Sequence, residues 1–313
     1  MNKLEKLRSN KDVLNKDLLV SCLCFVSLPA GRQAKLNKTM PEIIEAEITK
    51  QKLTLALKGK RILNFYTDWP RGLYSQAGGV KKTAEAMKGL KIQNIDRQGK
   101  VVVLHLESNK IIALHQRMSG HVRCFEKTKD AEGEKHARFT FALDDGSCFS
   151  LIDPRKFGTM WFGSKEWFEK QPYIKKLGKD ILEIEKSVFL ETVKESTSGI
   201  KSFLLRQDKL AGFGNIACDE TLWRAKINPR KKVYKIKKTE AEELYAAMHI
   251  TLADVLRNGG TSMSDWYHPD GKKGNYQDKF KIYSRTICPR CNSSVKRETV
   301  AGRGTYFCPL CQK

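Results

Sequence analysis

The chain has 313 residues, with 58 Lys and Arg against 35 Asp and Glu, a formal charge of +23. Hydrophobic residues make up 40% of it, enough for a packed core, which excludes wholesale disorder. So large a positive surplus destabilises a compact state unless a polyanion shares it, which points first to nucleic acid and second to an anionic membrane surface.

The length suits two or three compact units. Nine cysteines, an odd number in a long chain, argue against an extracellular disulfide framework and for a reducing cytoplasm.

Residues 1–39 read differently from the rest. A basic stretch, MNKLEKLRSNK, leads to an apolar run, LLVSCLCFVSL, and then PAGRQAK. The apolar run is far shorter than the ~20 residues of a membrane span. Three readings stay open for this extension: a start codon assigned too early, a targeting segment that is processed, and a genuine appended arm.

From Met40, EIIEAEITKQKLTLALKGK sets Ile43, Ile44, Ala46 and Leu53 at helical spacing. Short β-branched runs follow: RILNFYT, LKIQNI, KVVVLHLES, KIIALHQ, ARFTFAL and CFSLID. Turn signals at SNK and DDGS make antiparallel hairpins of them. This predicts a β-sandwich to about residue 165, with a helix across one end. From SVFLETVKES through LADVLRNGG the pattern turns helical, interrupted by KLAGFGN and INP. Beyond Gly259 and Gly260, TSMSDWYHPDGKKGNY is rich in turn formers and reads as a loop.

The most specific chemical signal is Cys288-x-x-Cys291 with Cys308-x-x-Cys311, the sixteen intervening residues suiting a β-hairpin. Four thiolates so arranged favour one tetrahedral zinc ion over an iron–sulfur cluster. A site saturated by protein ligands is structural, and in so small a segment the metal supplies the folding energy. Lys296, Arg297 and Arg303 on that hairpin can present cations to phosphate or to a base edge, unless the zinc knob contacts only protein. Cys124, Cys148 and Cys218 carry no ligand spacing and read as small buried hydrophobes.

Three weaker motifs gain meaning from their order. Gly212-Phe213-Gly214-Asn215 lies between helical stretches, where glycines either let backbone amides approach an anion or merely allow close packing. Asp153-Pro154-Arg155-Lys156-Phe157-Gly158 follows a strand and is either a DNA-gripping turn or a capped turn with a core Phe. His115-Gln116-Arg117-Met118-Ser119-Gly120 ends a strand in a turn, and its Met would ordinarily be core.

Taken in sequence with Met40-Pro41-Glu42-Ile43-Ile44-Glu45, Lys100 and the closing GRGTYFCPLCQK, these fragments resemble the formamidopyrimidine-DNA glycosylase family over residues 40–313. The resemblance implies an α+β multidomain fold. A catalytic β-sandwich would span 40–165, a helical helix–two-turn–helix domain 166–285 and a four-cysteine zinc finger 286–313. It implies a cytoplasmic, monomeric bacterial enzyme with one structural zinc, no membrane role, and a nucleoid partner: double-stranded DNA carrying damaged bases or abasic sites.

The activity implied is bifunctional. Pro41, once N-terminal, would attack the sugar C1′, expel an oxidised purine and form an iminium that drives β,δ-elimination. Glu42 would protonate the opening sugar ring. Lys100 and Arg303 complete the implied catalytic set and hold phosphates, aided by Lys201 and Asn215. Glu45 and His115 are implied to order the DNA site, while Met118, Arg155, Lys156 and Phe157 would contact the duplex and fill the gap left by the flipped base. Ile44, Lys156, Ser264 and Asn275 depart from the family pattern. An endonuclease VIII-like glycosylase for oxidised pyrimidines is one alternative. A non-catalytic binder of damaged DNA, with Pro41 never exposed, is another.

Overall fold

The structure, a computed structural model, describes residues 41–263 and 266–313; the extension and Ser264 lie outside the described residues. The chain opens with α1 (Ile43–Leu57), followed by β1 (Ile62–Thr67), β2 (Leu73–Ser75) and α2 (Val80–Met87). Next come β3 (Ile92–Gln98), β4 (Val101–Leu106), β5 (Lys110–His115), β6 (His121–Phe125) and α3 (Thr128–Glu132). The strands β7 (Ala137–Leu143), β8 (Cys148–Ile152) and β9 (Thr159–Ser164) complete two sheets. One sheet runs β1-β7-β8-β6 and the other β2-β9-β5-β4-β3. Their facing apolar residues, among them Phe65, Phe139, Phe141, Val102, Leu104 and Leu114, form a single core. The expected β-sandwich is therefore present, including the hairpins at Ser108-Asn109 and Asp144–Ser147.

Several strands escape the simple alternation rule, β4 and β5 among them with only His105 and Lys110 not buried. β2 has only three residues, and β8 and most of β9 are buried along their length, so they show no polar face to read.

The helical half contains α4 (Lys165–Glu169), α5 (Pro172–Lys175), β10 (Lys179–Asp180), α6 (Lys186–Lys194) and α7 (Ile200–Leu204). A two-residue strand, β11 (Leu210–Ala211), pairs in parallel with β10 and leads into α8 (Asn215–Arg224) and α9 (Lys238–Arg257). The chain ends in a hairpin of β12 (Lys296–Val300) and β13 (Arg303–Phe307). Ala301 and Gly302 form its turn with φ of 51° and 69°, the doubly positive conformation that matches hairpin twist.

The first helix belongs to both halves. Ala46, Leu53 and Leu57 pack into the sandwich core, whereas Ile43, Ile44 and Ile48 pack into the helical core with Phe213, Ile216 and Trp266. Burial on two sides fixes the N-terminal end of α1 at the junction of the two halves.

A buried ion cluster ties the same junction. Arg97 on β3 reaches Asp180 of β10 through Nη1 and Nη2 at 2.5 and 3.2 Å, and Glu47 of α1 through Nε at 3.0 Å. Asp180 also accepts from the Gly99 amide at 3.2 Å, directly before Lys100. Removing the guanidinium leaves the part-buried Asp180 without a cation and Glu47 with Lys50 alone. Arg97→Met is accordingly expected to lower the unfolding free energy by about 3–5 kcal/mol, read by urea denaturation; an unchanged midpoint contradicts the clamp.

Candidate active site and nucleic-acid interface

Glu42 caps α1, and its carboxylate sits on the N-terminus of α8. The Ile216 amide donates to Oε1 at 2.9 Å and the Ala217 amide to Oε2 at 3.1 Å. The exposed N–H groups and partial positive charge of a helix start favour an anion there. The anion received by the two amides that follow GFGN is thus a carboxylate of the chain itself. Gly214 is required for this approach, because a Cβ on it would overlap the Glu42 carboxyl group. Gly212, at φ +119°, likewise leaves no room for a Cβ beside Ile43.

Burial pushes the Glu42 carboxyl up from its ordinary value, while Lys100 and the two amides pull partly back. Glu45, one turn further on, accepts from the Glu42 amide and from the Thr261 amide, each at 2.8 Å. Burial, then the neighbouring Glu42, pushes Glu45 up to about 7. The pair thereby keeps a carboxyl proton available near neutral pH.

Lys100 follows the clamp at Gly99 and donates from Nζ to the Phe213 carbonyl at 2.8 Å. Burial lowers its pKa, and Arg303 adds to the lowering, while Glu42 and Glu45 act in the opposite sense. Pro41, Glu42, Glu45 and Lys100 are all buried at the junction between the halves.

The loop after α9 closes over this site. Besides Thr261 on Glu45, the Trp266 indole donates to Gln116 Oε1 at 2.9 Å, and Gln116 donates to Thr49 at 3.0 Å. Neither Gln116 nor Trp266 stands out in the sequence, since their pairing spans 150 residues.

Two of the implied DNA contacts, Lys201 and His115, have internal partners in this structure. Lys201 is fully buried rather than surface-facing. Its Nζ lies 2.5 Å from Asp219 Oδ1 and 2.7 Å from Thr305 Oγ1, both internal partners. Asp219 also accepts from the Tyr306 amide at 2.9 Å, so this cluster fastens the finger hairpin to α8. A lysine buried without a counter-charge would be costly, which explains its retreat to Asp219. His115 is also interior: Nδ1 accepts from the Arg117 amide at 2.9 Å, leaving Nε2 to donate to the Tyr173 hydroxyl at 3.0 Å. Burial, with Arg117 and Lys100 adding, holds it well below the usual histidine range.

The remaining predicted residues are nearer solvent. Asp153, fully buried, accepts from the Phe157 and Gly158 amides at 2.7 and 2.6 Å and so shapes the DPRKFG turn. That turn lifts Phe157 to 44% exposure, with the Arg155 guanidinium 4.6 Å from its ring. Lys156 adopts φ 56° and lies 5.5 Å from the Trp69 ring. Met118 is half-buried, and Ser119 beside it donates to Asp153 at 2.5 Å, joining the MSG turn to the DPRKFG turn. Asn215 donates to the Gly304 carbonyl at 3.0 Å, and Arg303 is exposed at the hairpin tip.

The four predicted cysteines converge. The Sγ atoms of Cys288, Cys291, Cys308 and Cys311 lie within 4.8 Å of one another. Two of the Sγ–Sγ separations are 3.5 and 4.0 Å, close to the ~3.8 Å edge of a tetrahedron with metal–sulfur bonds of about 2.3 Å. Trp223 Nε1 donates to Cys288 Sγ at 3.4 Å, and Ser293 lies 3.0 Å from Cys291 Sγ, the outer hydrogen bonds that thiolate ligands attract. The donor set fits one structural zinc ion.

Three family models cover this arrangement. They are the formamidopyrimidine-DNA glycosylase N-terminal domain at residues 40–160, its H2TH domain at 177–266, and a zinc finger found in FPG and IleRS at 287–313. The chain is 33% identical over 281 residues to the formamidopyrimidine-DNA glycosylase of Heliobacterium modesticaldum, spanning 88% of this chain and 100% of that protein. The namesake protein of Lactococcus lactis subsp. cremoris matches with the same figures. Among solved structures, the complex of Lactococcus lactis Fpg with abasic-site DNA aligns at a TM-score of 0.78 and 31% identity, covering 87% of this chain and 100% of that one. A mutant of the same protein with Fapy-dG DNA aligns at 0.78 and 32%, with the same coverage. The chain belongs to the formamidopyrimidine-DNA glycosylase family.

Proposed function

We propose that this DNA glycosylase excises oxidised purines, 8-oxoguanine and formamidopyrimidines, and then cleaves the abasic strand. The observation that carries the reading is a buried Glu42 adjacent to Pro41, held by the α8 amides beside Lys100, with burial raising its carboxyl above the ordinary value.

Once N-terminal, Pro41 has a secondary amine. Its lone pair attacks C1′, the bond from C1′ to the base breaks, and Glu42 gives its proton to the ring oxygen as the sugar opens. The resulting iminium accepts electrons as the 3′ and then the 5′ phosphate leave. Lys100 and Arg303 offset the charge of those phosphates. Met118, Arg155 and Phe157 occupy the space vacated by the extruded nucleotide, with Lys156 beside them as a point charge. Lys201 and His115 act as positioning residues, the first through the finger hairpin and the second through the Arg117 backbone. Domains at 40–165, 166–285 and 286–313 divide this labour. The enzyme acts as a monomer on the bacterial chromosome in the cytoplasm; among the described residues no helix is long and apolar enough to cross a membrane.

A second reading has a specific support. Lactococcus lactis Fpg has itself been solved with oxidised-pyrimidine DNA. Excision rates on matched duplexes separate the two: protein beginning at Pro41 is expected to release 8-oxoguanine at least about tenfold faster than an oxidised pyrimidine, a difference of about 1.4 kcal/mol in barrier. The reverse order contradicts the purine assignment.

A further inference from the structure

At the other end of α8 from Glu42, the segment that follows the helix carries charge the proposed chemistry does not use. Six cations fall within nine residues: Arg230, Lys231, Lys232, Lys235, Lys237 and Lys238. Arg230 pairs with Glu298 at 2.9 Å and Lys231 with Glu240 at 2.6 Å. Among the described residues, Lys232, Lys235, Lys237 and Lys238 have no carboxylate within ion-pair distance, and all four are exposed. Tyr234 projects among them at 65% exposure, and exposed Lys226 stands at the near end of the strip.

A solvated charge run would ordinarily be a mobile loop. This one is pinned. Val233 is buried, and its amide donates to the Ser198 carbonyl at 2.9 Å. The Lys231 carbonyl accepts from Ile200 at 2.8 Å, and Lys232 bridges to Gly199. The strip also bears an electrostatic cost: Lys237 caps the start of α9 and Lys238 is its first residue, where the helix dipole disfavours cations. Glu240 in the first turn answers only part of that charge.

Position separates this surface from the site. Glu42 is bound at the N-terminal end of α8, whereas the strip follows its C-terminal end. Ten helical residues set the two about 15 Å apart along the axis.

We propose that this strip is a second DNA-backbone site, which holds an undamaged duplex segment while the junction holds another. It rests on the DNA-glycosylase reading but lies outside the site that reading uses. Rigidly spaced lysines without base-reading partners suit phosphate contact independent of sequence. A chain with two such sites can pass between duplex segments without dissociating into solution.

The test uses the full chain and two duplexes. A short duplex with a tetrahydrofuran abasic analogue first saturates the junction, and a fluorescent undamaged duplex is then titrated by anisotropy. The second duplex is expected to bind, with salt sensitivity. In a variant combining K232Q, K235Q, K237Q and K238Q, binding at the second site should fall at least tenfold. The slope of log K against log salt should drop by about 3–4, near 0.9 for each phosphate that the variant no longer neutralises. The short lesion duplex should bind both proteins equally, and unchanged thermal unfolding shows that the variant folds. Three results overturn the proposal: no second duplex on the saturated wild type, an unaffected second site in the variant, or polyglutamate bound as tightly as duplex, which assigns the strip to an acidic protein. Failure of the lesion duplex to bind counts against the junction reading instead. Undamaged duplex alone, two per wild-type chain against one per variant, still reads the strip.

Discussion

Glu42→Gln in protein beginning at Pro41 is expected to lower the rate of base excision by about 10²–10⁴-fold, the usual contribution of a positioned general acid. The amide retains the size of the carboxyl group and can still accept from Ile216 or Ala217 through one oxygen. It has no acidic proton to give the sugar oxygen. Folding is therefore preserved while proton donation is lost, and single-turnover release of 8-oxoguanine measures the difference. The wild-type pH profile carries the same information. Burial raises the Glu42 carboxyl, so the acid stays protonated to higher pH than an exposed glutamate and activity falls as pH rises through that raised value. Lys100 pulls Glu42 back down, so Lys100→Met should shift this alkaline limb to higher pH even as it weakens phosphate binding. An E42Q enzyme that keeps the wild-type rate and profile removes Glu42 from the chemistry.

Stripping the metal should have the second large effect. The buried cluster under the finger takes Trp223 from α8 and Ile282 from the preceding segment and only Cys288 and Cys308 from the finger, too little apolar surface to hold the hairpin without the ion. Chelation, or Cys308→Ser, is expected to unfold residues 286–313 while leaving the sandwich intact. It removes Arg303, and it also removes the Thr305 hydroxyl and Tyr306 amide that complete the buried Lys201–Asp219 cluster. Losing one partner of a hydrogen-bonded charge pair with DNA, here Arg303 and its phosphate, costs about 2–5 kcal/mol, so affinity for abasic-site duplex should fall by roughly 10²-fold or more. Hydrogen exchange localises the unfolding, and restored zinc should restore both signals in the wild type. Full DNA affinity after complete metal removal contradicts this dependence.

The parts legible in the sequence were those with local signatures. Paired cysteines at two-residue spacing, alternating strands with turn residues, and the ordered fragments MPEIIE, DPRKFG and GFGN could each be read over a few residues. What escaped was long-range. Arg97 and Asp180 are 83 residues apart, and Gln116 and Trp266 are 150 apart; neither member of either pair has a local pattern that demands the other. Lys201 shows why a charge is hard to place from sequence. Its cation looked available for phosphate, but a carboxylate on the neighbouring helix takes it into the core. GFGN allows either anion approach or close packing, and nothing local shows that the helix start just after it receives Glu42, 174 residues earlier than Ile216.

The most direct measurement is borohydride trapping on an abasic or 8-oxoguanine duplex, with protein beginning at Pro41 beside the full 313-residue chain. An internal Pro41 carries an amide nitrogen with no available lone pair, whereas a terminal one is an amine of which about a tenth is neutral at pH 7. The account predicts a covalent adduct in the shorter protein, mapped to Pro41, and none at Pro41 in a chain that keeps its first forty residues. An adduct on a lysine, or none in the shorter protein, would contradict it.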